Sequence, residues 1–86
     1  MSLTDTQRQT TRAELYAHYE DSHLSLEGLA TLLGTSPKEV RDILDMKMQH
    51  TSETLFYNRL NTLIDLLNTN IIRNGGTPAP YTFLKF

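Results

Sequence analysis

Between Leu26 and Ile43 two short helical patterns run into each other with only Gly34, Thr35 and Ser36 between them. Leu26, Leu29, Ala30 and Leu33 recur at the three-and-four spacing that collects apolar side chains on one face, which predicts a helix over Ser25 to Leu33. Gly34 stops that helix, because glycine tolerates the left-handed backbone of a helix exit. A new helix opens on Ser36 as cap, with Pro37 at the first helical position, where its missing amide costs nothing, and Glu39 placed to reach back to the cap. Val40, Ile43 and Leu44 form its buried edge. Two short helices that cross steeply need a small side chain where their axes come closest; Ala30 supplies it, and Val40 and Ile43 seal the angle from the second helix.

With Leu26 as the first position of a twenty-residue unit, Leu29 falls fourth, Ala30 fifth, Leu33 eighth, Gly34 ninth, Val40 fifteenth and Ile43 eighteenth. This is the spacing of a helix-turn-helix unit, here over residues 25–45. In such a unit the second helix, Ser36 to about Asp45, lies in the major groove of DNA and presents Ser36, Lys38, Glu39, Arg41, Asp42 and Asp45 on its free face. Ser36, Lys38 and Arg41 are the candidate DNA-binding residues, with Arg41 leading because it lies on the outer face beside Val40. The serine is a cap first, although a capped helix start also offers free amides to a phosphate. Charge argues the other way: Lys38, Arg41 and Lys47 are balanced by Glu39, Asp42 and Asp45, so this helix is not basic. Pairing within such a mixed surface is worth tenths of a kcal/mol, roughly, per pair.

The remaining elements frame this unit. A first helix is expected to start with Thr11 as cap and Glu14 completing a capping box, to run through Leu15 and Tyr19, and to end near Asp21 to His23. Arg8 and Arg12 precede or open it, as a backbone-contacting edge if that helix flanks a groove or, more ordinarily, as part of a polar, partly mobile N-terminus. After a linker around Gln49 to Ser52, a long helix is expected over 53–73, with Leu55, Phe56, Leu60, Leu63, Ile64, Leu67, Ile71 and Ile72 as a broad apolar stripe and Asn61, Asp65, Asn68 and Asn70 on a polar opposite side. Leu60, Leu63, Leu67 and Ile71 are the candidate dimer interface, since one face of that stripe must cover the short helices and another can stay apolar; the plainer alternative is that the three-helix unit and the tail cover all of it. The tail, 77–86, holds two prolines and then Tyr81, Phe83 and Leu84 in an extended run. It must dock either on the domain's own core or on a partner, and the shortage of buried area in a small domain favours the core. The expected fold is all-α: one domain over 1–86, with four main helices and a short extended C-terminal tail.

Composition sets limits around that plan. Eighty-six residues, 38% of them hydrophobic, hold one core and not two. Eight Lys and Arg against ten Asp and Glu leave a net charge of −2, so any contact with nucleic acid must be local. With no cysteine there is neither a disulfide framework nor a thiolate zinc site, and His18, His23 and His50 share no ligand spacing, so no metal or other cofactor is expected. His18 is expected to meet Glu14 on the surface, His50 to belong to the linker, and Met46 and Met48 to fill irregular space near the last helix. The start, Met1 to Thr11, lacks the apolar stretch of a secretion signal, and no window approaches the roughly 18 apolar residues of a membrane span. A cytoplasmic protein is the expectation. No nucleophile with its base, glycine-rich phosphate cradle or carboxylate pair stands out, which argues against an enzyme.

Taken with the long helix near Phe56 to Leu67, the opening Ser2 to Thr11 segment and the ending Pro78 to Leu84, the unit Leu24 to Met46 resembles a family of small bacterial proteins catalogued as a domain of unknown function. Its paired short helices resemble those of phage-repressor-type DNA-binding domains. The resemblance implies a compact, mostly helical protein and a regulator, and brings no functional residues with it. Two functions follow as expectations. One is a small transcriptional regulator that binds double-stranded DNA through the helix-turn-helix, as a homodimer with half-sites roughly 34 Å apart. The other is a protein–protein interaction module on the same scaffold, binding through the long helix or the Tyr81, Phe83 and Phe86 tail, or serving as a structural partner of another regulator.

Overall fold

The computed structural model describes residues 3–47 and 52–84. It is an all-α, four-helix domain with a short C-terminal tail: α1 (Asp5–Ser22), α2 (Leu26–Leu33), α3 (Pro37–Leu44) and α4 (Glu53–Arg73). Met48, His50 and Phe86 lie outside the described residues.

The first helix begins seven residues before the expected start, seven being the difference between the caps Thr11 and Thr4. Thr4 is the actual cap: its Oγ1 accepts from the Gln7 amide at 3.2 Å, and the Gln7 side chain accepts from the Thr4 amide at 3.0 Å. Thr11 instead sits inside the helix, fully buried, where its hydroxyl donates to the Gln7 carbonyl at 2.8 Å. Leu3 packs into the core, so the chain is tied down almost from its start. The helix ends where expected, with His23 in the left-handed region at φ 59.

The short helices start and stop where their local signals place them. Ser25 caps α2 through its Oγ, and Gly34 closes it at φ 71, with the Thr35 amide donating to the Ala30 carbonyl at 2.9 Å. Ser36 caps α3 with Pro37 in the first turn. Ala30, Val40, Ile43 and Leu44 are all buried, and α2 and α3 pack on each other.

The long helix α4 is the spine of the domain: it packs along α1 and also touches α2 and α3. Its row Phe56, Leu60, Leu63, Ile64, Leu67 and Ile71 is buried in the chain's own core. This corrects the expected dimer interface: Leu60, Leu63 and Leu67 are 0% exposed and Ile71 only 4%, so they have no surface to offer a second copy. The polar side is not wholly solvated either. Asn70 and Asn74 both donate from Nδ2 to the Ser22 carbonyl, Asn74 at 3.1 Å, and so fasten the end of α4 to the end of α1.

The tail docks on its own domain. Leu84 is buried, Tyr81 and Phe83 pack against the core, and Tyr81 lies against His18 with ring centroids 4.6 Å apart. His18 is therefore a core residue and does not lie on the surface beside Glu14. Glu14 meets the tail too, accepting from the Thr82 amide and from its hydroxyl at 2.7 Å. Burial pushes the Tyr81 phenol well above its ordinary range, with the Glu14 carboxylate adding to the shift.

Candidate nucleic-acid interface

Capping fixes the start of α3. The Glu39 amide donates to Ser36 Oγ at 3.3 Å, so the serine hydroxyl is engaged as an acceptor, and it remains exposed at the helix start. Lys38 and Arg41 follow on the exposed side while Val40 turns inward.

Each acidic group of this segment has a cationic partner. Lys38 Nζ lies 3.4 Å from Asp42 Oδ2, one helical turn on. Glu39 Oε2 lies 3.3 Å from Arg59 Nη1, which reaches across from α4. Asp45, expected on the free face of α3, points toward α1 instead: its side chain is only 12% exposed, because Arg12 Nε and the Tyr16 hydroxyl both donate to its Oδ1, at 3.1 and 2.5 Å. Burial alone would raise the Asp45 carboxyl, but the Tyr16 and Arg12 hydrogen bonds outweigh it and hold the group below the usual carboxylate range. Burial and the same carboxylate push the Tyr16 phenol up. Arg41 is exposed and makes no ion pair among the described residues.

A groove of about 540 Å³ runs between α1 and α3, lined by Gln9, Arg12, Ala13, Tyr16, Arg41 and Asp45. A neighbouring hollow of about 310 Å³ shares Gln9, Arg12 and Asp45 with it and adds Asp5, Arg8 and Met46. Along α1 the lining residues 5, 8, 9, 12, 13 and 16 make one continuous helical stripe, so the two hollows adjoin; taken together as a trough, they have Arg12 and Asp45 in both parts, Arg8 in one and Arg41 in the other. Among the described residues no cluster of His, Cys, Asp and Glu could hold a metal ion.

The structure thus brings Arg41 together with Arg12, with Arg8 in the adjoining hollow, and leaves Ser36 and Lys38 further along α3, outside the trough lining. Tyr16 is the residue that reading the sequence did not single out. Its signal was the four-residue repeat Arg8, Arg12, Tyr16, which places the three on one side of α1.

A family model described as an uncharacterized protein conserved in bacteria (DUF2316) matches residues 1–85. The chain belongs to that family. Comparison with curated proteins and with solved structures finds no match. In this DUF2316 protein no helix among the described residues is long and apolar enough to cross a membrane.

Proposed function

We propose that this protein is a DNA-binding regulator that uses α2 and α3 as a helix-turn-helix, with Arg41 as its principal contact and Ser36 and Lys38 beside it. The observation that carries the reading is the state of the charges on α3. Its carboxylates, which in the sequence cancel its cations, are matched one by one by Lys38, by Arg59 from α4 and, for Asp45 just past the helix, by Arg12 from α1. Arg41 is the charge left over on an exposed face, and an arginine fork is the side chain best suited to a guanine edge or a phosphate. The tight exit at Gly34 and the burial of Ala30 and Val40 support the short-helix pair as a rigid carrier for it.

The protein-binding alternative has less to rest on. The α4 row is buried, Tyr81 and Phe83 of the tail pack against the core, and among the described residues the large exposed apolar residues Leu32, Leu55 and Ile72 lie on separate parts of α2 and α4. The DNA reading does not depend on a dimer, and any dimer must use a surface other than Leu60, Leu63, Leu67 and Ile71.

Fluorescence anisotropy with mixed-sequence duplex DNA at low and moderate salt tests this function. The expected result is binding at low salt that weakens as salt rises, and about a tenfold loss of affinity in Arg41→Ala. Absence of binding at low salt, or an Arg41→Ala curve that overlays the parent, contradicts it.

A further inference from the structure

The trough between α1 and α3 holds an arrangement that the contacts of α3 alone do not use. Arg12 gives only its Nε to Asp45; its terminal nitrogens make no hydrogen bond among the described residues, and its side chain is 56% exposed against 12% for Asp45. The carboxylate is inside and the guanidinium is at the mouth. Arg8 lies one turn earlier on α1, about 6 Å along the helix axis, in the adjoining hollow, and Arg41 shares the larger hollow with Arg12 from α3. Arg8 makes no ion pair among the described residues, so the trough presents two unmatched guanidiniums and one matched internally.

The geometry points to Asp45 as an internal substitute for a DNA phosphate, which occupies Arg12 until the sugar-phosphate backbone of a duplex takes its place. This inference rests on the DNA-binding reading above. A phosphodiester entering the trough between Arg8 and Arg41 meets the free edge of Arg12, and the guanidinium then exchanges a monodentate carboxylate contact for one with a phosphate oxygen. The Tyr16 hydroxyl remains on Asp45 and keeps the carboxylate hydrogen-bonded after Arg12 leaves. Asp45 therefore weakens DNA binding in two ways: it satisfies Arg12 in the free protein, and it places a negative charge behind the backbone in the complex. Asp5, at the far end of the trough, repels the same backbone but pairs with none of the three arginines among the described residues.

Both contacts to Asp45 fall on one oxygen, so Asp45→Asn keeps an acceptor in place and removes only the charge. In anisotropy titrations of the full chain on one mixed-sequence duplex across a salt series, Asp45→Asn should bind about three- to tenfold more tightly than the parent at low salt, with a log–log salt slope steeper by up to about 0.9, the increment of one phosphate contact. Arg12→Gln should bind more weakly, with a slope shallower by a similar amount. Equal or weaker binding by a folded Asp45→Asn, with the parent binding DNA, overturns the inference and leaves the DNA-binding reading intact. If Asp45→Asn does not fold, an unchanged slope in Arg12→Gln overturns it instead. Binding by Asp45→Asn where the parent shows none supports it, while no binding by parent or either variant removes both the inference and the reading beneath it.

Discussion

The two sides of α1 put similar polar side chains to opposite uses. On one side Glu14, His18 and Ser22 face the tail and the end of α4, where Glu14 takes both donors of Thr82, His18 packs on Tyr81, and the Ser22 carbonyl receives Asn70 and Asn74. On the other side Arg8, Arg12 and Tyr16 face α3, where Arg12 and Tyr16 share a single carboxylate oxygen and Arg8 and Arg41 are left without ion pairs among the described residues. The tail side consumes its hydrogen-bonding capacity in holding the fold. The α3 side holds the fold with one carboxylate and keeps cationic capacity at the surface, and that capacity is what the proposed DNA contact draws on.

The comparison breaks most readily at the spine that backs both sides. Leu67→Ala should cost about 2–5 kcal/mol, since Leu67 is fully buried and the cavity is only partly refilled. Urea unfolding measures it, and the loss should not vary with protein concentration if the row is intramolecular. Next in size, Tyr81→Ala should cost about 2–3 kcal/mol by emptying the tail side against His18, while leaving DNA affinity at its parent value. A Tyr81→Ala protein that folds well but fails to bind DNA would erase the distinction between the two sides.

The smallest effect sharpens the contrast through pH. Because the Asp45 carboxyl is held below its unfolded range, its hydrogen bonds contribute fully above about pH 4 and lose their contribution as pH falls through the native value. Stability measured on acidification should therefore decline less steeply in Asp45→Asn than in the parent below about pH 4. Equal slopes would mean that Asp45 is not held by Tyr16 and Arg12 in solution.

How much of this could be read in advance follows from where the relevant signals lie. The α2–α3 pair and α4 were legible because each starts on a serine cap and carries a dense apolar row, and because Gly34 admits one kind of exit. The start of α1 was not, since its first two turns hold no large apolar residue and its buried stripe is Thr11, Leu15, His18 and Ser22, where a single leucine carries the amphipathic signal. Arg41 was visible as an outward arginine. That Asp45 turns away from it toward residues 29 and 33 positions earlier was not, because no periodicity marks a contact between separate helices. For the same reason the α4 stripe could be recognised as apolar but not divided between core and interface before the tail and α1 were seen to cover it.

The most direct trial of the central claim, that the α1–α3 side is the binding surface and the tail side is structural, is a titration of isotope-labelled protein with duplex DNA, following each backbone amide by NMR at low salt. The account predicts shift changes concentrated at residues 8–16 and 36–45, with those of 78–84 unmoved. Changes centred on the tail and the end of α4, or none at any residue, would contradict it.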